Sequence, residues 1–298
     1  MNITYDYYRI FYYVAKYHSF TQAATALFSS QPNITRAIKN LEKELGCILF
    51  IRSNKGVDLT PEGEKLFSRI SIAFEYIQAA EEELSFENSL KNGLVTISVT
   101  EIALHCHVLK VLKKFHKKYP GVHIRLTNHS TPQALNALKS GFADIAVVTS
   151  PTDAAFSLQE TVIKPFKAVA VCSSYFSELA KRKISWKELS SYPIILLGNH
   201  AKSHDFYSNI FLKHGVSLNA GIEAATTDQI LPMIKSDLGI GFVPTEFIVN
   251  DIYKDNLIIL DLEDEIPERN ICLVKASGVH LNLAAKELEK MLLTEIKM

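Results

Sequence analysis

Ser19-Phe20-Thr21-Gln22-Ala23-Ala24-Thr25-Ala26-Leu27-Phe28-Ser29-Ser30-Gln31-Pro32-Asn33-Ile34-Thr35-Arg36-Ala37-Ile38-Lys39-Asn40-Leu41-Glu42-Lys43-Glu44-Leu45-Gly46 decides the fold, because two helices and the turn between them can be read from it. Ser19, with Gln22 three positions on, has the form of a capping box, and Ala23, Ala24 and Leu27 give the short helix behind it an apolar face. Phe28-Ser29-Ser30 breaks the period. Ser30 then stands as N-cap of a second helix with Pro32 in its first turn, where the missing N–H is not needed, and Gly46 ends it.

In that second helix Ile34, Ile38, Leu41 and Leu45 recur at steps of four and three, a stripe that must pack on a core. Asn33, Arg36, Lys39, Asn40 and Lys43 fall about 180° away and carry the donors and acceptors that suit a major groove. A polar helix face is by itself only a solvated surface. Its neighbours change the reading. Residues 48–52 and 56–59 flank Ser53-Asn54-Lys55 as a small hairpin, or wing, that brings Arg52 and Lys55 beside a DNA backbone. Upstream, Tyr8, Phe11, Val14 and Ala15 supply a first helix that closes the core. Residues 1–60 therefore read as a winged helix-turn-helix.

Thr60-Pro61-Glu62 opens another helix, hydroxyl cap first and Pro at the first helical position, with Glu62 and Glu64 favouring the positive end of the dipole. Leu66, Ile70, Ala73, Ile77, Ala80 and Leu84 keep a heptad seam, as two supercoiled helices require. Nothing apolar is evidently left in the small N-terminal unit to receive so long a helix, so residues 61–90 are expected to be a dimerisation helix. A twofold pair of recognition helices would read half-sites about 34 Å, or a multiple of it, apart.

Beyond Asn92-Gly93 the pattern turns to alternating strands and helices, βαβαβ and then a second such set, read as parallel open sheets. Residues 93–298 form a regulatory domain on this reading, with lobe I at 93–161 and 267–298, lobe II at 162–266, and crossings near Thr161 and Pro267. In open α/β sheets ligands sit beyond the carboxyl ends of the strands. The residues expected there are Thr100, Glu101, Asn128, His129, Thr149, Gly198, Asn199, His200 and Thr226, mostly hydroxyls, amides and imidazoles. No Arg or Lys is among them, which favours a small polar or modestly charged ligand held by helix N-termini and hydroxyls.

The run Phe11, Val14-Ala15, Ser19-Phe20-Thr21-Gln22-Ala23-Ala24, Leu27, Ser30-Gln31-Pro32-Asn33-Ile34-Thr35, Ile38, Leu41-Glu42, Leu45-Gly46, Leu49-Phe50, Arg52 and Leu59-Thr60-Pro61-Glu62-Gly63 resembles the LysR-type transcriptional regulators. Phe115, Tyr119-Pro120, Val122 and Gly141-Phe142-Ala143-Asp144-Ile145-Ala146 are similar to the effector-domain pattern of that family. The resemblance implies a bacterial, cytoplasmic regulator of transcription that binds an inverted-repeat operator in double-stranded DNA. It also implies a two-lobed sensor like periplasmic binding proteins, a small-molecule effector and no other cofactor, a homodimer that pairs into a tetramer, and RNA polymerase as a partner. Base and backbone contacts would fall on Gln31, Pro32, Thr35 and Arg36, with Arg52 on the wing; Arg36 departs from the Gln often found there. Gln can pair with adenine and Arg with guanine, while Pro or the Thr methyl can touch a thymine methyl.

Composition agrees. The 298 residues carry formal net charge zero, which argues against nucleic acid bound along the whole surface. The basic charge is local: in residues 1–60, Arg9, Lys16, Arg36, Lys39, Lys43, Arg52 and Lys55 outnumber Asp6, Glu42, Glu44 and Asp58. No apolar run approaches the roughly 20 residues that span a bilayer. The four cysteines Cys47, Cys106, Cys172 and Cys272 show no CxxC spacing and read as reduced thiols, a redox-sensing pair being the sharper alternative. His105 and His107 would point about 200° apart on a helix, so no metal is expected. Glu101 near His129 has the look of an acid/base pair, yet no nucleophile elbow, P-loop or dinucleotide fingerprint accompanies it, and no enzyme is expected. The competing reading is a DNA-binding protein whose C-terminal half is a protein-interaction module without ligand control.

Overall fold

The computed structural model describes residues 3–53, 56–86, 89–199, 201–218, 220–248 and 257–294. The chain divides into two compact units, Met1–Ser85 and Phe86–Met298.

The first unit runs α1 (Tyr5–Tyr17), α2 (Phe20–Ala26), α3 (Gln31–Leu45), β1 (Phe50–Ser53), β2 (Gly56–Leu59) and α4 (Pro61–Ser85). Ser19 Oγ accepts from the Gln22 amide at 3.2 Å and so caps α2. Ser30 holds the N-cap position of α3, yet its hydroxyl makes no capping bond. Phe11, Val14, Ile34, Ile38 and Leu41 form the buried centre between α1 and α3. Glu42 Oε1 accepts from the Leu49 amide at 2.8 Å and fastens the end of α3 to the wing, whose strands pair antiparallel from Phe50↔Leu59 to Ser53↔Gly56.

The structure corrects one expectation here. Leu66 and Ile70, together with Phe67, pack on the unit's own core, and Phe74 is buried against α1. The receiving surface is aromatic: Tyr5 and Tyr12 stack on Phe74 at 5.7 and 4.6 Å. Reading α1 through Tyr8, Phe11, Val14 and Ala15 overlooked this adjacent tyrosine strip, because amphipathic rings do not register as an apolar stripe. Ile77 is half-buried, while Ala73, Ala80 and Leu84 remain exposed.

The second unit contains two five-stranded sheets. Its elements are β3 (Leu94–Val99), α5 (Glu101–Ala103), a π-turn at Leu104–Val108, α6 (Leu109–Lys118), β4 (His123–Asn128), α7 (Thr131–Lys139), β5 (Ile145–Thr149) and β6 (Leu158–Phe166). They continue as β7 (Ala168–Ser173), a 3-10 turn, α8 (Trp186–Leu189), β8 (Ile194–Leu197), α9 (Lys202–Lys213), β9 (Ala220–Ala224), a 3-10 turn at Thr227–Gln229, α10 (Ile230–Lys235) and β10 (Ile240–Pro244). The last are α11 (Thr245–Ile248), β11 (Leu257–Ile259), β12 (Arg269–Ala276) and α12 (Leu283–Thr294).

The first sheet has the order β4-β3-β5-β12-β6 and the second β11-β7-β10-β8-β9. Neither is wholly parallel: β12 runs antiparallel to β5 and β6, and β7 to β10 and β11. The crossing expected near Thr161 lies inside β6, so lobe I extends past 161 and the chain leaves the first sheet after Phe166. This edge strand exposes Gln159, Glu160, Thr161 and Val162 in succession, which hides the alternation that marks a strand in sequence. The chain rejoins the first sheet with β12, which begins at Arg269. Val95, Ile97, Phe115 and Leu288 are at the centre of the first lobe, Trp186, Phe211 and Phe242 at that of the second. Among the described residues, no helix is long and apolar enough to cross a membrane.

Candidate DNA interface and ligand cleft

The start of α3 presents Gln31, Pro32, Thr35, Arg36 and Lys39, with Asn40, around one shallow surface depression. Its opposite side is the buried stripe Ile34, Ile38 and Leu41, so core packing fixes which way the polar face points. Thr35 Oγ1 donates to the Gln31 carbonyl at 3.0 Å, and Arg36 Nη2 donates to Asn33 Oδ1 at an exposed 3.3 Å contact. Such a bond is readily exchanged for a base edge or a phosphate. Asn40 differs: its Nδ2 donates to Tyr7 Oη at 3.1 Å and ties α3 to α1. Arg52 is in β1 opposite Val57, but its side chain, like the whole of Lys55, lies outside the described residues.

In the second unit a polar cleft of about 120 Å³ opens between the two sheets. From the first sheet it receives Thr100 and Glu101 after β3, Asn128 at the end of β4 and His129 after it, and Thr149 at the end of β5; from the second it receives Thr226 after β9. Six of the residues expected at a ligand site thus meet around one space. Gly198 and Asn199 do not line it, and His200 lies outside the described residues.

Several groups in the wall already have partners. Glu101 accepts from Asn128 Nδ2 and meets His105 Nε2 at 2.7 Å. His129 Nδ1 bonds the buried Ser98 hydroxyl at 2.9 Å. His107 turns away from His105 to the Leu292 carbonyl, 3.0 Å distant. Thr131 Oγ1 donates to the Thr149 carbonyl, joining two rims of the cleft. Thr100 Oγ1, in contrast, is buried in the wall and has no hydrogen-bond partner among the described residues.

Sequence reasoning missed Lys202 and Ser203, which also line the cleft. They open α9, whose N-cap position holds Ala201 and therefore carries no hydroxyl or carboxylate signal of a helix start. Lys202 Nζ meets Asp153 Oδ2 at 2.6 Å. That bond and the Asp153 charge hold the lysine above its ordinary pKa. The absence of any cation at the site, expected from sequence, is thereby corrected.

Comparison with known proteins agrees with this geometry. Residues 5–64 match the family described as bacterial regulatory helix-turn-helix protein, lysR family, and residues 88–297 match the LysR substrate binding domain. The HTH-type transcriptional regulator YofA of Bacillus velezensis is 26% identical over 280 residues, 94% of each chain. A full-length CbnR complexed with its target DNA superposes with a TM-score of 0.74 at 14% identity over 98% of this chain and 99% of that one. The Synechocystis PCC6803 CcmR regulatory domain in complex with 2-PG has a TM-score of 0.63 at 19% identity, covering 69% of this chain and 98% of its own. A helix-turn-helix whose reading face is set by its core, followed by a two-sheet substrate-binding domain, makes this chain a member of the LysR family of transcriptional regulators.

Proposed function

We propose that the protein is a ligand-gated regulator of transcription, in which a small molecule held between the two sheets of the second unit changes how paired copies engage DNA. The observation that carries the ligand reading is Thr100: a buried hydroxyl in a polar cleft, without a partner among the described residues, is costly unless a bound group satisfies it. The regulatory domain of CcmR, similar in fold, is in complex with 2-PG. A ligand that prefers one spacing of the lobes shifts the population toward it, and only by its differential affinity.

On the DNA side, Gln31, Pro32, Thr35 and Arg36 are assigned the base edges and Lys39 a phosphate, Asn33 steadying Arg36. Arg52 and Lys55 of the wing are assigned the backbone. CbnR, which shares the fold, is complexed with its target DNA. Exposed Ala73, Ala80 and Leu84, with Ile77, supply the part of α4 left for a second copy. A dimer gives an inverted-repeat operator and a pair of dimers a tetramer, with RNA polymerase as the protein that reads the outcome.

The test couples both halves. Duplexes selected from a random library by the whole protein are footprinted with and without metabolites that raise its melting temperature. The reading requires a metabolite that stabilises the protein, alters the footprint and loses both effects in Thr100→Val. Metabolites that leave stability and footprint unchanged would favour a protein-interaction module instead.

A further inference from the structure

Arg269, the first residue of β12, is only 3% exposed, yet no carboxylate faces it among the described residues. Its acceptors are neutral: Nε donates to the Ser150 carbonyl at 2.6 Å and Nη2 to Thr149 Oγ1 at 3.1 Å. The guanidinium stacks on Phe206 at 4.9 Å and on Phe166 at 5.5 Å. A guanidinium has five N–H donors and does not shed its charge, so these two bonds leave most of its capacity unspent. Burial draws its pKa below the ordinary arginine value, the opposite of what a counter-ion does.

Arg269 adjoins the cleft. A cavity of about 20 Å³ is lined by Arg269, Tyr207, Ser203 and Thr227, and Ser203 and Thr227 line the cleft as well. That volume admits about one water-sized group. Burial pushes the Tyr207 phenol up to about 12, so it is a hydroxyl donor at neutral pH. Thr149, whose hydroxyl accepts from Arg269, lines the cleft on its other side, and the unpartnered Thr100 hydroxyl lines it too. The other charges at the site are engaged: Lys202 with Asp153, Glu101 with His105 and Asn128.

We propose that the floor of this cleft is an anion subsite with Arg269 as its counter-charge, and that the effector is a small metabolite bearing a carboxylate or another oxyanion. This rests on the ligand-gated reading and narrows it. One oxygen of the anion enters the small cavity toward Arg269 and Tyr207, and the remainder of the molecule occupies the polar cleft beside Thr100. A neutral polyol or amide of the same size leaves the buried guanidinium uncompensated and binds more weakly.

The whole protein, its Arg269→Met form and its Thr100→Val form are titrated with acetate, succinate, citrate, phosphate and sulfate, and with succinamide and glycerol as neutral counterparts, at fixed ionic strength. Melting temperature and calorimetry are the readouts. At least one anion should stabilise the native protein in a dose-dependent way, with its neutral counterpart at least tenfold weaker, and Arg269→Met should lower that anion's affinity at least tenfold. Methionine keeps an apolar stem between the two phenylalanines, so the ligand-free Arg269→Met protein should melt no lower than the native one; a merely structural arginine would make it melt lower. Equal binding of succinamide or glycerol, undiminished anion binding by Arg269→Met, or no response to any of the five anions overturns the proposal. A neutral ligand lost in Thr100→Val would overturn the anion subsite alone and leave the ligand-gated reading standing.

Discussion

The Tyr12 and Phe74 rings stack face to face, their centroids 4.6 Å apart and their planes 2° from parallel. Phe74 is 5% exposed, and Tyr5, Tyr12 and Tyr13 all contact its ring. The stack binds the middle of α4 to α1, so α4 is part of the winged unit's own core before it is anything else. Phe74→Ala should lower the stability of residues 1–85 by about 3–5 kcal/mol, as loss of a buried aromatic ring does. Leu84, 86% exposed on the same helix, gives the contrast: Leu84→Glu should change unfolding by no more than about 0.5 kcal/mol while weakening self-association in sedimentation. A loss of stability in Leu84→Glu equal to that in Phe74→Ala would contradict the division of this helix into an inward and an outward part.

Arg36 and Lys39 stand one turn apart on the exposed side of α3 but should fail differently. A guanidinium reading a base edge contributes about 1–3 kcal/mol of discrimination, whereas an ammonium on a phosphate acts on all sequences alike. Arg36→Ala is therefore expected to relax preference at one position of each half-site in a selection from random duplexes. Lys39→Ala is expected to weaken binding to all duplexes and to reduce the slope of log affinity against log salt by about 1. If the two substitutions give the same profile, the assignment of roles is wrong.

Phe28 combines two unfavourable features: φ of 49° in the turn between α2 and α3, and a side chain exposed at 100%. Asn tolerates this backbone region better than any bulky residue, and an exposed ring has little packing to lose. Phe28→Asn should leave stability the same or raise it by up to about 1 kcal/mol in chemical denaturation. A loss of stability would mean that the ring packs on a surface in solution.

The winged unit was legible because each of its signals is local. Caps at Ser19, a break at Phe28, Pro32 in the first turn and Gly46 at the end lie within a few residues of what they control. The cleft was legible where a residue lies at or just past the carboxyl end of a strand, as Thr100, Asn128 and Thr226 do. Lys202 was hidden by an uncapped helix start. Arg269 could not be found at all, since its meaning depends on Ser150 and Thr149, more than a hundred positions away in sequence, and on two phenylalanines from other strands and helices. The aromatic seat of α4 escaped for the same reason: tyrosine carries both characters, and only packing decides which one counts.

The cysteines of the second unit yield a prediction with a definite sign. Burial pushes the Cys106 and Cys272 thiols up to about 12 and Cys172 up to about 11, from an ordinary value of 9.0. Thiolate is the reactive form, so at pH 8 all three should alkylate with iodoacetamide far more slowly than in the urea-unfolded chain. The same shifts set a stability trend. Between about pH 9 and 12 the unfolded chain has released thiol protons that the folded chain retains, so the unfolded state binds fewer protons and stability must fall as pH rises. Below pH 9 both states hold those protons, and these three groups contribute no slope. Replacing Cys106 by Ser should remove part of the alkaline decline in denaturant midpoint. Rapid labelling of Cys106 in the native protein at pH 8, or an alkaline profile unchanged by the substitution, would show that its thiol is more open to solvent than its packing beside the first lobe's core implies.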